Sequence, residues 1–206
     1  MRLAMTVWRG KYPLILASQS SARQRLLGNT GIQFEAIPAN IDERAVQQSA
    51  ALAGAGDIAA FLAREKALAV SMAEAESYVI GADQTLAVGQ TLFTKPAGRQ
   101  AAAEQLRALA GRVHELHSAV AVARAGRILF ETIDVARMTM RSLSDAEIAA
   151  YLDEAGESVT SSVGAYRLEG LGVHLFERVE GDHFTILGLP LLPLLNFLRS
   201  EQLLAI

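Results

Sequence analysis

Leu14-Ile15-Leu16-Ala17-Ser18-Gln19-Ser20-Ser21-Ala22-Arg23 is the stretch on which the fold turns. Its four apolar residues read as a short buried strand, the serines as a polar turn, and residues 22–28 as a short helix. A strand that passes straight into a helix gathers backbone N–H groups and the positive end of the helix dipole at the turn. Such an end attracts anions, and Arg23 in the first helical turn adds a bidentate donor. Ser18, Ser20 and Arg23 are therefore a candidate phosphate site, although an ordinary serine N-cap gives the same local pattern.

The alternation of strand and helix continues along the chain. Residues 32–37 alternate as a strand does, and residues 57–73 form an amphipathic helix pattern. Its stripe is Ile58, Phe61, Leu62, Ala69 and Met72, with Arg64 pointing away and Lys66 at the edge, where a long side chain reaches from the core boundary into a cleft. Residues 78–82 read as a strand whose C-terminal end carries Asp83, and residues 86–93 as a hairpin turning at Gly89-Gln90. A helix over 101–110 closes at Gly111, and long strands over 113–123 and 128–141 meet near Gly126. Ser144-Asp145-Ala146-Glu147 is a capping box that starts a helix stopping at Gly156. Residues 173–177 and 184–187 read as strands around a turn at Gly181-Asp182, and a final helix follows Pro193. The pattern predicts a mixed α/β architecture.

Bulk properties narrow the function. The chain has 206 residues, 51% hydrophobic and 20% charged, which suits one sizeable core. A formal net charge of −3 speaks against wholesale nucleic-acid binding but leaves room for a small anionic substrate held by local Lys and Arg. With no cysteine there is no disulfide, thiolate metal site or Cys nucleophile, which suits a reducing cytoplasm. The N-terminal apolar stretch is too short and too soon broken by charge for a signal peptide, and the most apolar segment, 186–198, is too short to span a membrane. That segment reads as a buried loop running into a core helix. We expect residues 1–12 to be an N-terminal extension and residues 13–206 a single domain.

Familiar nucleotide-binding signals are missing: no glycine-rich stretch ends in Gly-Lys-Ser/Thr, and Gly54-Ala55-Gly56 is no dinucleotide fingerprint. His114 and His117 face opposite sides of a strand and make a poor metal pair. What remains is a spread of acids and bases. Asp42-Glu43 follows a strand in a loop, and Asp83 stands at a strand end, where ligands of α/β sheets gather. Hard divalent cations bound together with phosphates need oxygen ligands, for which two or three carboxylates suffice, and Lys66 and Lys95 could neutralise phosphate charge.

Taken together, these residues resemble the Maf family of nucleotide pyrophosphatases. Leu16, Ala17, Ser18, Ser20, Arg23, Leu26 and Leu27 match its opening motif. Ile41-Asp42-Glu43 matches its acidic loop, Ala63-Arg64-Glu65-Lys66-Ala67 its lysine helix, and Gly81-Ala82-Asp83-Gln84 the block with the general base. Lys95-Pro96, then Leu109-Ala110-Gly111-Arg112-Val113-His114, then Gly164-Ala165-Tyr166, Glu169-Gly170 and Gly188-Leu189-Pro190 follow in order. The match runs over about 14–199; Ala22 and Ala110 depart from the usual residues.

The resemblance implies an elongated, two-lobed α/β fold with a mixed central sheet and a cleft, and a homodimer. It implies cleavage of a nucleoside triphosphate between its α- and β-phosphates, with Asp83 as general base and Glu43 and Asp83 as ligands of Mg²⁺ or Mn²⁺. Ser18, Ser20, Arg23, Lys66 and Lys95 would hold phosphates. Ala22, Gln84 and Glu169 occupy the specificity positions. Members that prefer dTTP and UTP carry Arg, Thr and Gln there, whereas members that prefer 7-methyl-GTP share Gln84 and Glu169. Ala22 cannot stack on a cationic methylated base as a Trp would. The expectation is a general nucleoside triphosphate pyrophosphatase, with a 7-methyl-GTP enzyme as the alternative. Two readings compete: a non-catalytic protein that arrests division by binding a partner, and an inosine-triphosphate pyrophosphatase of related fold, which the motif blocks fit less well.

Overall fold

Ten residues, Val79–Val88, form the strand to which the candidate site is attached, because a strand covered on both faces reads as a near-continuous apolar run. The computed structural model describes residues 7–42 and 54–206. In chain order the elements are β1 (Leu14–Leu16), α1 (Ser21–Gly28), β2 (Phe34–Ala36), α2 (Ala55–Ala73), β3 (Val79–Val88), β4 (Thr91–Phe93) and α3 (Arg99–Leu109). There follow β5 (Val113–Arg124), β6 (Arg127–Met140), α4 (Asp145–Ala155), two 3₁₀ segments (Gly156–Ser161 and Leu171–Leu175), β7 (Phe176–Glu180), α5 (His183–Ile186) and α6 (Leu191–Ser200). The seven strands make one mixed sheet in the order β2-β1-β3-β5-β6-β7, with β4 paired to β3. β1 runs parallel to β2 and β3, while β3–β4 and β6–β7 are antiparallel.

The chain packs as two compact units, the first drawn from residues 1–84, 118–134 and 183–206, the second from 85–117 and 135–182. In the first unit the period-two alternation of strand side chains sorts the core into two layers. Leu14, Leu16, Ile80, Ala82, Val120 and Val122 pack with Leu26 and Leu27 of α1 and with Leu191, Leu194 and Leu198 of α6. The intervening residues face α2. Ala119, Ala121 and Ala123 meet Ala59, Ala63 and Ala67, and Ile15, Ala17 and Val79 meet Val70. A side chain at Gly81 would lie 2.1 Å from the Ala63 carbonyl oxygen and 2.5 Å from the Ala67 nitrogen. The missing Cβ thus lets α2 lie directly on β3. Both described ends of the chain join this unit: Arg9 N–H donates to the Leu203 carbonyl and Ala205 N–H to that of Val7.

In the second unit α3 packs on α4, and the predicted capping box is complete. Ser144 Oγ accepts from Glu147 N–H at 3.3 Å, and the Glu147 carboxylate accepts from Ser144 N–H at 2.8 Å. β7 pairs with β6 from Arg137↔Glu180 onward, behind a turn at Gly181 (φ 131°) that rests on Ala136.

Five expectations change. The strand that carries Asp83 does not end before it but runs on to Val88, because both polar side chains in its middle are paired. The buried face of α2 is Ile58, Ala59, Leu62, Ala63, Lys66, Ala67 and Val70, so Lys66 sits within that face and Met72 outside it, 73% exposed. The small residues opposite select that face, and alanine carries too little hydrophobic contrast to announce it. Residues 184–187 are not a strand: Leu187 N–H returns to the His183 carbonyl and Gly188 N–H to that of Thr185, closing one helical turn. Upstream, residues 171–175 form a 3₁₀ segment, and the strand starts at Phe176. α6 begins at Leu191, ahead of Pro193, whose missing N–H costs nothing in the first turn, where a backbone donor has no helical acceptor.

Candidate active site

The site is built on β1, α1, α2 and β3 of the first unit. At the end of β1, Ser18 is buried and its Oγ accepts from Ser20 N–H at 3.2 Å, curling the chain into α1. Ser20 is the N-cap, its Oγ 3.5 Å from Arg23 N. The first turn of α1 contains no acid, so nothing opposes an anion at the positive end of its dipole. Arg23 Nε donates to the Gly188 carbonyl at 2.8 Å, which fixes the guanidinium plane. Ala22 is half-buried beside it.

Asp83 and Lys66 meet on the other face of β3. Lys66 Nζ donates to Asp83 Oδ1 at 2.5 Å, with both side chains only 10% exposed. Two buried charges in contact are costly to desolvate, and an apolar pair would serve stability as well. Their placement on the face admitted by Gly81 therefore argues for chemistry. Gln84, the next residue, points the opposite way: its Nε2 donates to Ser118 Oγ at 2.8 Å and to the carbonyls of Thr185 and Ile186 at 3.0 and 3.1 Å.

A family model described as Maf-like protein matches residues 13–201. The chain belongs to this family. A nucleoside triphosphate pyrophosphatase of Bradyrhizobium diazoefficiens is 67% identical over 202 residues, 98% of this chain and 100% of that one. One from Rhodopseudomonas palustris is 63% identical over 201 residues, with the same coverage. A 7-methyl-GTP pyrophosphatase of Rhizobium etli is 52% identical over 189 residues, 91% of this chain and 95% of that one.

The remaining Maf positions fall elsewhere. Lys95 is exposed just after β4 in the second unit. Glu169, in the same unit, accepts from Arg167 Nε at 3.2 Å and Nη2 at 2.9 Å. Its carboxylate is thus held by a guanidinium that the sequence reading did not single out. Glu43 lies outside the described residues. Among the described residues no group of three or more His, Asp or Glu side chains is arranged to hold a metal ion. Asp83 is compatible with the mode in which a divalent ion is carried mainly by substrate phosphates and one or two carboxylates. His114, which the motif includes, is buried in the second unit against Tyr166 and Phe176, and His117 bonds Glu115 instead, so the two histidines are apart as expected. Ser118 and Thr185 were not foreseen. The one signal for Ser118 is a lone hydroxyl inside the apolar run of β5, on the same alternating face as Val120 and Val122. Among the described residues no helix is long and apolar enough to cross a membrane.

Proposed function

We propose that this Maf protein hydrolyses nucleoside triphosphates to a nucleoside monophosphate and pyrophosphate. The observation that carries the reading is the buried pair of Lys66 on α2 and Asp83 on β3, set in a chain that matches named pyrophosphatases over 98% of its length. In this reading Asp83 takes the proton of the attacking water as its oxygen bonds the α-phosphorus. The bond from that phosphorus to the bridging oxygen breaks, and its electron pair leaves with pyrophosphate. Lys66, which orients Asp83, and the cations Arg23 and Lys95 offset the charge that develops, with Ser18 and Ser20 opening the phosphate site. A divalent cation, Mg²⁺ or Mn²⁺, belongs to this reading. Asp83 and Glu43 would hold it, and it would supply Lewis-acid polarisation of the phosphates. A homodimer in the cytoplasm completes the proposal.

Base preference is the finer question. Gln84 and Glu169 both offer acceptor oxygens, and the 52%-identical relative is named a 7-methyl-GTP pyrophosphatase. A 7-methylguanine ring carries N–H donors on its pairing edge, so this substrate is the second reading. Ala22 favours a wider pocket, and the general reading stands first. Purified protein is incubated with dTTP, UTP, GTP and 7-methyl-GTP, with Mg²⁺ or Mn²⁺ and then with excess EDTA. Pyrophosphate release that stops with chelation supports the proposal. Release of orthophosphate instead of pyrophosphate, or full turnover in EDTA after dialysis, rejects the cleavage site or the metal respectively.

A further inference from the structure

Gln84 is surrounded on its amide end by three oxygens. Two are the backbone carbonyls of Thr185 and Ile186, which only accept hydrogen bonds, so the group facing them is the NH₂ whatever the side-chain assignment. The third is Ser118 Oγ, whose own hydrogen goes to the Thr185 carbonyl at 2.7 Å, leaving a lone pair for Gln84. Ser118 and Thr185 are completely buried. Thr185 Oγ1 donates to Asp134 Oδ2 at 2.7 Å, which ties the α5 turn to β6. The Thr185 carbonyl also accepts from Gly188 N–H at 3.0 Å, and the Gly188 carbonyl accepts from Arg23 Nε. Gly188 takes φ 92°, and a Cβ there would touch Arg23 Nε at 3.4 Å and Gln84 Oε1 at 3.6 Å.

We propose that Ser118, Thr185 and Asp134 are positioning residues that lock the Gln84 amide with its NH₂ turned into the protein, so that Gln84 recognises substrate through Oε1 alone. The residues from Thr185 to Gly188 form a bracket that sets Gln84 and Arg23 together. Gln84 is then an acceptor beside a guanidinium, and the ligand edge it selects is an N–H donor of a nucleobase. The inference rests on the proposed pyrophosphatase reading for its ligand but not for the orientation of the amide.

Two measurements separate these. In the full-length protein, the Gln84 side-chain ¹⁵N–¹H₂ signals, assigned by their loss in Gln84→Met, should exchange slowly with water, and Ser118→Ala should speed that exchange at least tenfold. Signals exchanging as fast as those of an exposed glutamine overturn the locked amide even if the enzyme is active. In kinetics on GTP and UTP, Thr185→Val and Ser118→Ala should lower kcat/KM roughly tenfold, mainly through KM, and compress the ratio between the two nucleotides. Thr185→Ser, which keeps the hydroxyl, should restore that ratio. Loss of activity with an unchanged ratio overturns the positioning role and leaves a merely structural one. A wild-type protein that releases no pyrophosphate refutes the reading of function, while the exchange measurement still decides the amide.

Discussion

Asp83 and Gln84 are consecutive, yet they serve opposite faces of β3, one toward Lys66 on α2 and the other toward Ser118 and α5. In the proposed reading, one strand step separates the proton acceptor from the recognition group. Asp83→Asn keeps shape and loses the base, so turnover should fall at least about 10²-fold in a folded protein. Wild-type turnover would sink the assignment. Lys66 gives a second expectation. Lys66→Met leaves a buried carboxylate without its ammonium, which should cost about 3–5 kcal/mol. The double variant Lys66→Met, Asp83→Asn should recover much of that in urea unfolding; strict additivity of the two changes would argue against a coupled pair. The acids and bases were legible because charge in an apolar run is conspicuous and the motif blocks name them. Their pairing was not, since the contact joins residues 17 apart through a helix face set by tertiary packing. Ser118 and Thr185 gave less still: buried hydroxyls act through geometry that composition does not encode.

At the scale of elements, the approach of α2 to β3 decides where Lys66 lies. Gly81 faces the Ala63 carbonyl and the Ala67 nitrogen, and both are backbone atoms that cannot swing aside. Gly81→Ala must push the helix off the strand, at an overpacking cost of about 1–3 kcal/mol. Because Lys66 stands between Ala63 and Ala67, activity should fall by more than the loss of stability alone explains. A Gly81→Ala protein with wild-type Tm and kcat would show that α2 has slack to spare. Most elements were readable in advance, and the reasons are local. The hairpin at Gly89-Gln90, the capping box at Ser144 and the stop at Gly156 (φ 58°) each depend on residues within one turn. The failures were elements whose choice is made by neighbours. Residues 184–187 are apolar enough for strand or helix, and the carbonyls of Thr185 and Ile186 are claimed by Gln84 only in the helical turn.

For the molecule as a whole, several groups far in sequence from Asp83 make stability depend on pH, and His114 is one of them. Burial lowers its pKa from 6.5 to about 4. Its Nε2 shares a 2.6 Å hydrogen bond with the Tyr166 hydroxyl, and its buried Nδ1 has no partner among the described residues, so a second ring proton would find no acceptor. The unfolded chain binds that proton near pH 6.5 and the folded chain does not until about pH 4. Stability from this residue is therefore complete above pH 6.5 and lost progressively as pH falls toward 4. Glu147 acts lower: its carboxyl, bonded by Ser144 N–H and then Arg141, is held at about 2, so its contribution disappears only below pH 4.5. On the alkaline side burial pushes Tyr151 up to about 12 and Tyr166 upward as well, so stability should fall as pH rises above 10. The acid windows barely overlap, which makes His114 separable. Between pH 7.5 and pH 5 the wild type should lose about 2 kcal/mol through this group, read from urea midpoints at constant m. His114→Gln cannot titrate, so its stability, though lower at pH 7.5, should change less over the same interval. Parallel pH curves for the two proteins would show that His114 is not the group that senses acid.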